Sequence, residues 1–106
     1  MNNDVNSPVH PGKILRETLL PEAGLSVSDA ALALGESDQI LHNILAEQVP
    51  LTAAMCLKVA KLFDSSPELW IRLQASYDLQ QASLDDKVAA CLDRIVPAFP
   101  YKKDVA

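Results

Sequence analysis

Apolar positions along this chain recur three and four residues apart, and no stretch alternates polar and apolar as a half-buried strand would. Pro, Gly, Ser and Thr divide the pattern into five or six helical lengths. The first predicted helix opens after His10-Pro11-Gly12, where Pro11 suits an opening turn, and runs through KILRETLL to Pro21, with Gly24 closing the connection. Ser26 and Asp29 form an S-x-x-D capping box at the head of the second, which Gly35 ends. Ser37 caps the third, whose apolar residues at 40, 41, 44 and 45 share one face at a period of 3.6, and Pro50 closes that segment. Thr52 caps the fourth, AAMCLKVAKLF, which carries Lys58 and Lys61 in its later half, where the helix dipole favours cations. Ser66-Pro67-Glu68 supplies a cap, a first-turn proline and a first-turn acid, and opens ELWIRLQASYDLQQA. Ser83 and Asp86 make a second S-x-x-D box before KVAACLDRIV, which Pro97 stops. The chain reads as all-α.

Within SVSDAALALGESDQILHNIL the spacing becomes more specific. Ala31 is small where two helices must meet, Gly35 four residues on can take the positive φ of a tight turn, and Leu41 and Ile44 point back inward. That is the spacing of a helix-turn-helix, although two consecutive amphipathic helices share it. If the motif holds, Ser37, Asp38 and Gln39 lie at the start of the reading helix, with His42, Asn43 and Ala46 on its outward face. Gln39 and Asn43 can each pair with adenine, Ser37 can bond phosphate or base, and Asp38 can accept from cytosine. His42 is the one residue of that helix able to become cationic. The plainer reading leaves all six as solvated polar positions.

Charge complicates the picture. The net charge is −5, and from Glu17 to Leu57 there is no Lys or Arg against Glu17, Glu22, Asp29, Glu36, Asp38 and Glu47. Phosphate neutralisation supplies most non-specific affinity for nucleic acid, so this segment needs cations from outside itself. Lys13, Arg16, Lys58 and Lys61 are the candidates for DNA-backbone contacts.

Beyond the motif, HPGKILRETLLPEAGLS and SSPELWIRLQASYDLQQA, with the helix-turn-helix between them, resemble the HigA-type antitoxins, a branch of the lambda-repressor-like (XRE) regulators that includes proteins labelled virulence-associated protein I. The resemblance spans roughly residues 9 to 82. It implies a five-helix repressor-like domain, here with an additional C-terminal helix, that acts as a dimer. It further implies binding to a palindromic operator and neutralisation of a small basic ribonuclease toxin. Ala31, Gly35, Leu41 and Ile44 match the family's structural positions, and Trp70, Leu73, Gln74, Tyr77 and Asp78 match its second block. Asn43-Ile44-Leu45 matches the N-I-L of its reading helix, but Ala46-Glu47-Gln48-Val49-Pro50 stands where the family has a basic or glycine-containing turn. The alternative is a protein-interaction module of the same fold with weak or lost DNA binding.

The second block reads first as core, with Trp70, Leu73 and Tyr77 at i, i+3 and i+7, and second as part of a dimer interface. Gln74 and Asp78, one turn apart, are then hydrogen-bond partners across that interface or along the helix. The last helix, apolar at 88, 92, 95 and 96, is expected to cover the core or extend a dimer contact. Expected boundaries are a flexible N-terminus at 1–8, the domain at 9–82, the C-terminal helix at 83–97 and a tail at 98–106. Cys56 and Cys91 read as small buried hydrophobes in a reducing cytosol. No metal-ligand spacing, phosphate-cradling glycine cluster or catalytic constellation stands out, so neither cofactor nor enzyme is expected. The N-terminus lacks the basic and apolar parts of a signal peptide, and no apolar run approaches the roughly 20 residues that span a bilayer; a cytoplasmic protein away from membranes is expected.

Overall fold

The computed structural model describes residues 7–99. Most of the expected flexible start (1–8) and of the tail (98–106) falls outside the described residues. Six helices account for the fold, and no strand occurs among the described residues. Helix α1 is continuous through Pro11–Ile14, a π-helical turn at Leu15–Leu19, and Leu20–Ala23. It is followed by α2 (Val27–Leu34), α3 (Asp38–Leu45), α4 (Ala53–Leu62), α5 (Pro67–Ser83) and α6 (Asp86–Arg94).

Side-chain caps set most of the starts. Ser26, Ser37, Thr52 and Ser66 each accept from the backbone N–H three residues ahead, so four orphan helix donors find partners. The expected second S-x-x-D box does not form. Ser83 ends α5, its hydroxyl donating to the Gln80 carbonyl, and Asp85 caps α6 through the Lys87 N–H. Two stop signals also shift. Helix α1 passes through Pro21, which follows a wide turn in which the Leu20 N–H bonds the Leu15 carbonyl, five residues back. Pro21 then falls in the first turn of the α-helical segment Leu20–Ala23, where a missing N–H is tolerated. Helix α3 ends at Leu45, five residues before Pro50: Gln48 N–H bonds back to the Asn43 carbonyl, with Glu47 at a left-handed φ of 64°.

The core is aliphatic. Leu15 and Leu20 of α1, Ala30, Ala31 and Leu34 of α2, Leu41, Ile44 and Leu45 of α3, Leu51, Met55, Cys56, Val59 and Ala60 around α4, and Trp70 of α5 are buried together. Ala31 at the α2–α3 junction and Leu41 and Ile44 facing inward match the helix-turn-helix expectation. Ile40 does not, since it stays 45% exposed and leaves the inward face to 41, 44 and 45.

The second block divides. Trp70 is buried and its indole N–H donates to Ser65, whereas Leu73 and Tyr77 are half-buried. Gln74 is buried and spends both ends of its amide inside the chain: Oε1 accepts from Leu51 N–H at 2.8 Å, and Nε2 donates to Asp78 at 2.9 Å. The Gln74–Asp78 pair is therefore intrahelical.

The last helix leaves the core uncovered. Every residue of α6 is exposed, and Leu92, Ile95 and Val96 show most of their surface. Cys91 is exposed with it, so only Cys56 is the buried small hydrophobe expected; both thiols are free. With α6 projecting, the molecule measures 54 × 31 × 25 Å. No helix among the described residues is long and apolar enough to cross a membrane.

Candidate nucleic-acid interface

The turn between α2 and α3 is made by Gly35 at φ 71°, the left-handed region that costs an L-residue about 1–2 kcal/mol. Its N–H and that of Glu36 close the end of α2 on the Leu32 and Ala31 carbonyls. Helix α3 then presents its first turn outward: Ser37, Asp38 and Gln39 are exposed, as are His42 and Ala46, and Asn43 is half-buried. Gln39 Nε2 donates to Asn43 Oδ1 at 3.0 Å, which leaves the Asn43 amide N–H₂ and the Gln39 carbonyl pointing to solvent bonds. Ala46 caps the C-terminus of α3.

Asp38 is held across the motif. Ser28, near the start of α2, donates to its carboxylate at 2.7 Å, so the first turns of α2 and α3 are tied side by side. Neither Ser28 nor this tie is marked by the spacing that reveals the motif.

The far end of α3 is gripped by α1. His10 caps α1, its Nδ1 accepting from the Gly12 N–H at 2.9 Å; the neutral ring then carries its hydrogen on Nε2, which donates to the Val49 carbonyl at 3.0 Å. Its ring meets Tyr77 edge-on, centroids 4.9 Å apart. Gly12 lies against the Ile44 carbonyl so closely that a Cβ would overlap it. Arg16 Nη1 donates to the Leu45 carbonyl at 2.6 Å and to Glu47 at 3.2 Å, while Nη2 pairs with Glu17 at 2.9 Å. Glu17 foremost, and Glu47 after it, raise the pKa of the Arg16 guanidinium further above its ordinary value. The H-P-G-x-x-x-R spacing was legible as a motif; its role as a grip on the reading helix was not.

Of the four candidate cations, two are thus engaged within the chain. Arg16 holds Glu17 and Glu47, and Lys58 pairs with Glu36 at 2.6 Å. Lys61 lines a hollow with Ala33, Leu34 and Lys58 at the C-terminal end of α2, away from Ser28. Lys13 is exposed beside Glu47 and Tyr77 in a shallow hollow behind α3. The same pairs spend three of the carboxylates that made the segment so acidic. Among the described residues no group of three His, Cys, Asp or Glu side chains is placed to hold a metal ion.

Two short helices locked at Ala31 and Gly35, the second with a polar, exposed first turn, define a helix-turn-helix protein. No protein-family model matches the chain. Virulence-associated protein I of Dichelobacter nodosus is 38% identical over 77 residues, 73% of this chain and 71% of that protein. An HTH-type transcriptional regulator of Haemophilus influenzae is 33% identical over 92 residues, 87% of this chain and 86% of its own. Among solved structures, Pseudomonas aeruginosa antitoxin HigA, determined with the higBA promoter, is 33% identical with a TM-score of 0.78, over 87% of this chain and 99% of that one. The chain belongs to the HTH-type regulator family of virulence-associated protein I and the HigA antitoxins.

Proposed function

We propose that this protein is a HigA-like antitoxin and transcriptional autoregulator of the cytoplasm, without catalytic activity. As a dimer it binds a palindromic operator through α3 and neutralises a partner ribonuclease toxin. The observation that carries the reading is the exposed first turn of α3, on a fold shared over almost its whole length with an antitoxin determined with its promoter. Ser37, Gln39, His42 and Asn43 contact bases, with Asp38 and Ala46 at the edges of that surface. The coupled Gln39–Asn43 amides keep a donor and an acceptor free for an adenine edge. Backbone contacts come from polar side chains and from the N–H groups at the first turns of α2 and α3, with Lys13 and Lys61 lying off that face and adding only longer-range attraction. The apolar surface of α6, uncovered within the chain, supports a dimer.

A gel shift with the DNA upstream of the protein's own gene tests this. Binding weakens as salt rises, and Asn43→Ala lowers affinity roughly 10- to 100-fold, the range for losing one two-bond base contact. No binding at about 50 mM salt, where phosphate contacts are strongest, refutes operator recognition.

The engagement of Arg16 and Lys58 by carboxylates favours a second reading, in which the fold serves protein interaction alone. Copurification with a small basic ribonuclease, without affinity for the upstream DNA, distinguishes it.

A further inference from the structure

We infer that Arg16 is the positioning residue of the reading helix: it fixes the C-terminal end of α3 and offsets the charge of Glu47 there, sharing its own charge with Glu17, without touching DNA itself. The inference deepens the DNA-binding reading and rests on it.

Glu47 is the half-buried acid that follows the end of α3. Helix α3 has eight residues, about 12 Å of length, comparable with the roughly 12 Å width of a major groove. With its first turn against bases, a helix of this length would bring its exit toward a phosphate strand, where charges act over a Debye length of about 8 Å. An unopposed carboxylate at Glu47 would repel that strand.

The chain opposes it from α1. One guanidinium nitrogen of Arg16 meets both the Glu47 carboxylate and the Leu45 carbonyl. The carbonyl is one of those that the end of a helix leaves without an intrahelical partner. Glu47 itself is held at φ 64°, so the bond also steadies a backbone turn that favours glycine. Gly12 against Ile44 and His10 on Val49 bring α1 to the same place. For Arg16 to reach a phosphate it would have to release Glu47 and Leu45 together, and so create the repulsion it now removes. Its effect on DNA therefore runs through Glu47.

A double-substitution cycle on the full-length protein separates the two roles, with the upstream DNA fragment as probe. Arg16→Ala is expected to weaken binding about 10-fold, the range of a close charge effect at an interface. Glu47→Gln alone changes affinity little, and added to Arg16→Ala it restores most of the loss. With Glu17→Gln in the background to remove the other carboxylate that Arg16 holds, a loss of the same size with or without Glu47 means direct phosphate contact and overturns the inference; so does no loss. Arg16→Gln, which keeps a donor but no charge, repeats the cycle if Arg16→Ala melts early.

Amide hydrogen exchange of the free protein supplies a readout independent of DNA. Faster exchange at Glu47 and Gln48 in Arg16→Ala, with α4 unchanged, supports the grip on α3, and unchanged exchange overturns it. If the unsubstituted protein binds no upstream DNA, the operator reading fails, and this exchange still decides the positioning role.

Discussion

At the scale of single residues, glycine plays two unrelated parts here. Gly35 is needed for its backbone angle: a Cβ there meets nothing within 4 Å, but φ is 71°. Gly12 is needed for space, because a Cβ would collide with the Ile44 carbonyl. The costs differ accordingly. Gly35→Ala is expected to cost about 1–2 kcal/mol from the left-handed conformation alone. Gly12→Ala forces α1 off the end of α3, breaks the His10 and Arg16 bonds with it, and is expected to cost more, about 3 kcal/mol or above. Urea unfolding of both variants measures the difference; equal losses would mean that α1 and α3 can slide apart freely. Gly35 was legible because turn glycine has a known spacing from Ala31. Gly12 looked like the tail of a helix-start signal, since close approach to a carbonyl 32 positions away leaves no local mark.

At the scale of elements, caps were the most legible features, since a side chain three residues from the donor it serves is a local matter. Ser26, Ser37, Thr52 and Ser66 all do as their positions suggest. At the head of α5, Glu68 adds to this: its own backbone N–H, then the Ser66 hydroxyl at 2.9 Å, hold its carboxyl below the ordinary value of 4.5. A native value below the unfolded one stabilises the fold above pH 4.5, and that stabilisation is lost as pH falls through the native value. Glu68→Gln is therefore expected to lower the melting temperature near pH 7 and to match the unsubstituted protein once Glu68 is protonated in both its folded and unfolded forms; thermal melts across that range check it. The failures at this scale were stops. Pro21 and Pro50 both read as ends, yet a π-helical turn carries α1 past the first, and α3 closes on its own carbonyls well before the second. Proline is tolerated in the first turn of an α-helical segment, and the π-helical turn places Pro21 there.

At the scale of the whole molecule, the period of the apolar residues located the helices but not their neighbours. The residues at 88, 92, 95 and 96 form a stripe as regular as that of α3, and on pattern alone both should be covered. Only α3 is, because α1 and α2 pack against it, while α6 meets little beyond the end of α5. The radius of gyration of 17.4 Å, against roughly 13 Å for a compact domain of about 100 residues, records that projection. The site divides in the same way. The outward residues of α3 followed from the motif's geometry, but which charges meet one another depended on contacts within the folded chain: Arg16 with Glu17 and Glu47, Lys58 with Glu36. An isolated count of charge over residues 17 to 57 treats as bare three acids that the folded chain has already answered.

The two cysteines turn this uneven architecture into a clock. Cys56 has no accessible surface, and burial also raises its thiol pKa, so it reacts only when the packing around α4 opens. Cys91 has no such protection. With Cys91→Ser in place, maleimide labelling of the remaining thiol is expected to run orders of magnitude slower than in the urea-unfolded chain, at a rate that measures how often the core breathes. Labelling at the unfolded rate would show that the packing around Cys56 is open most of the time.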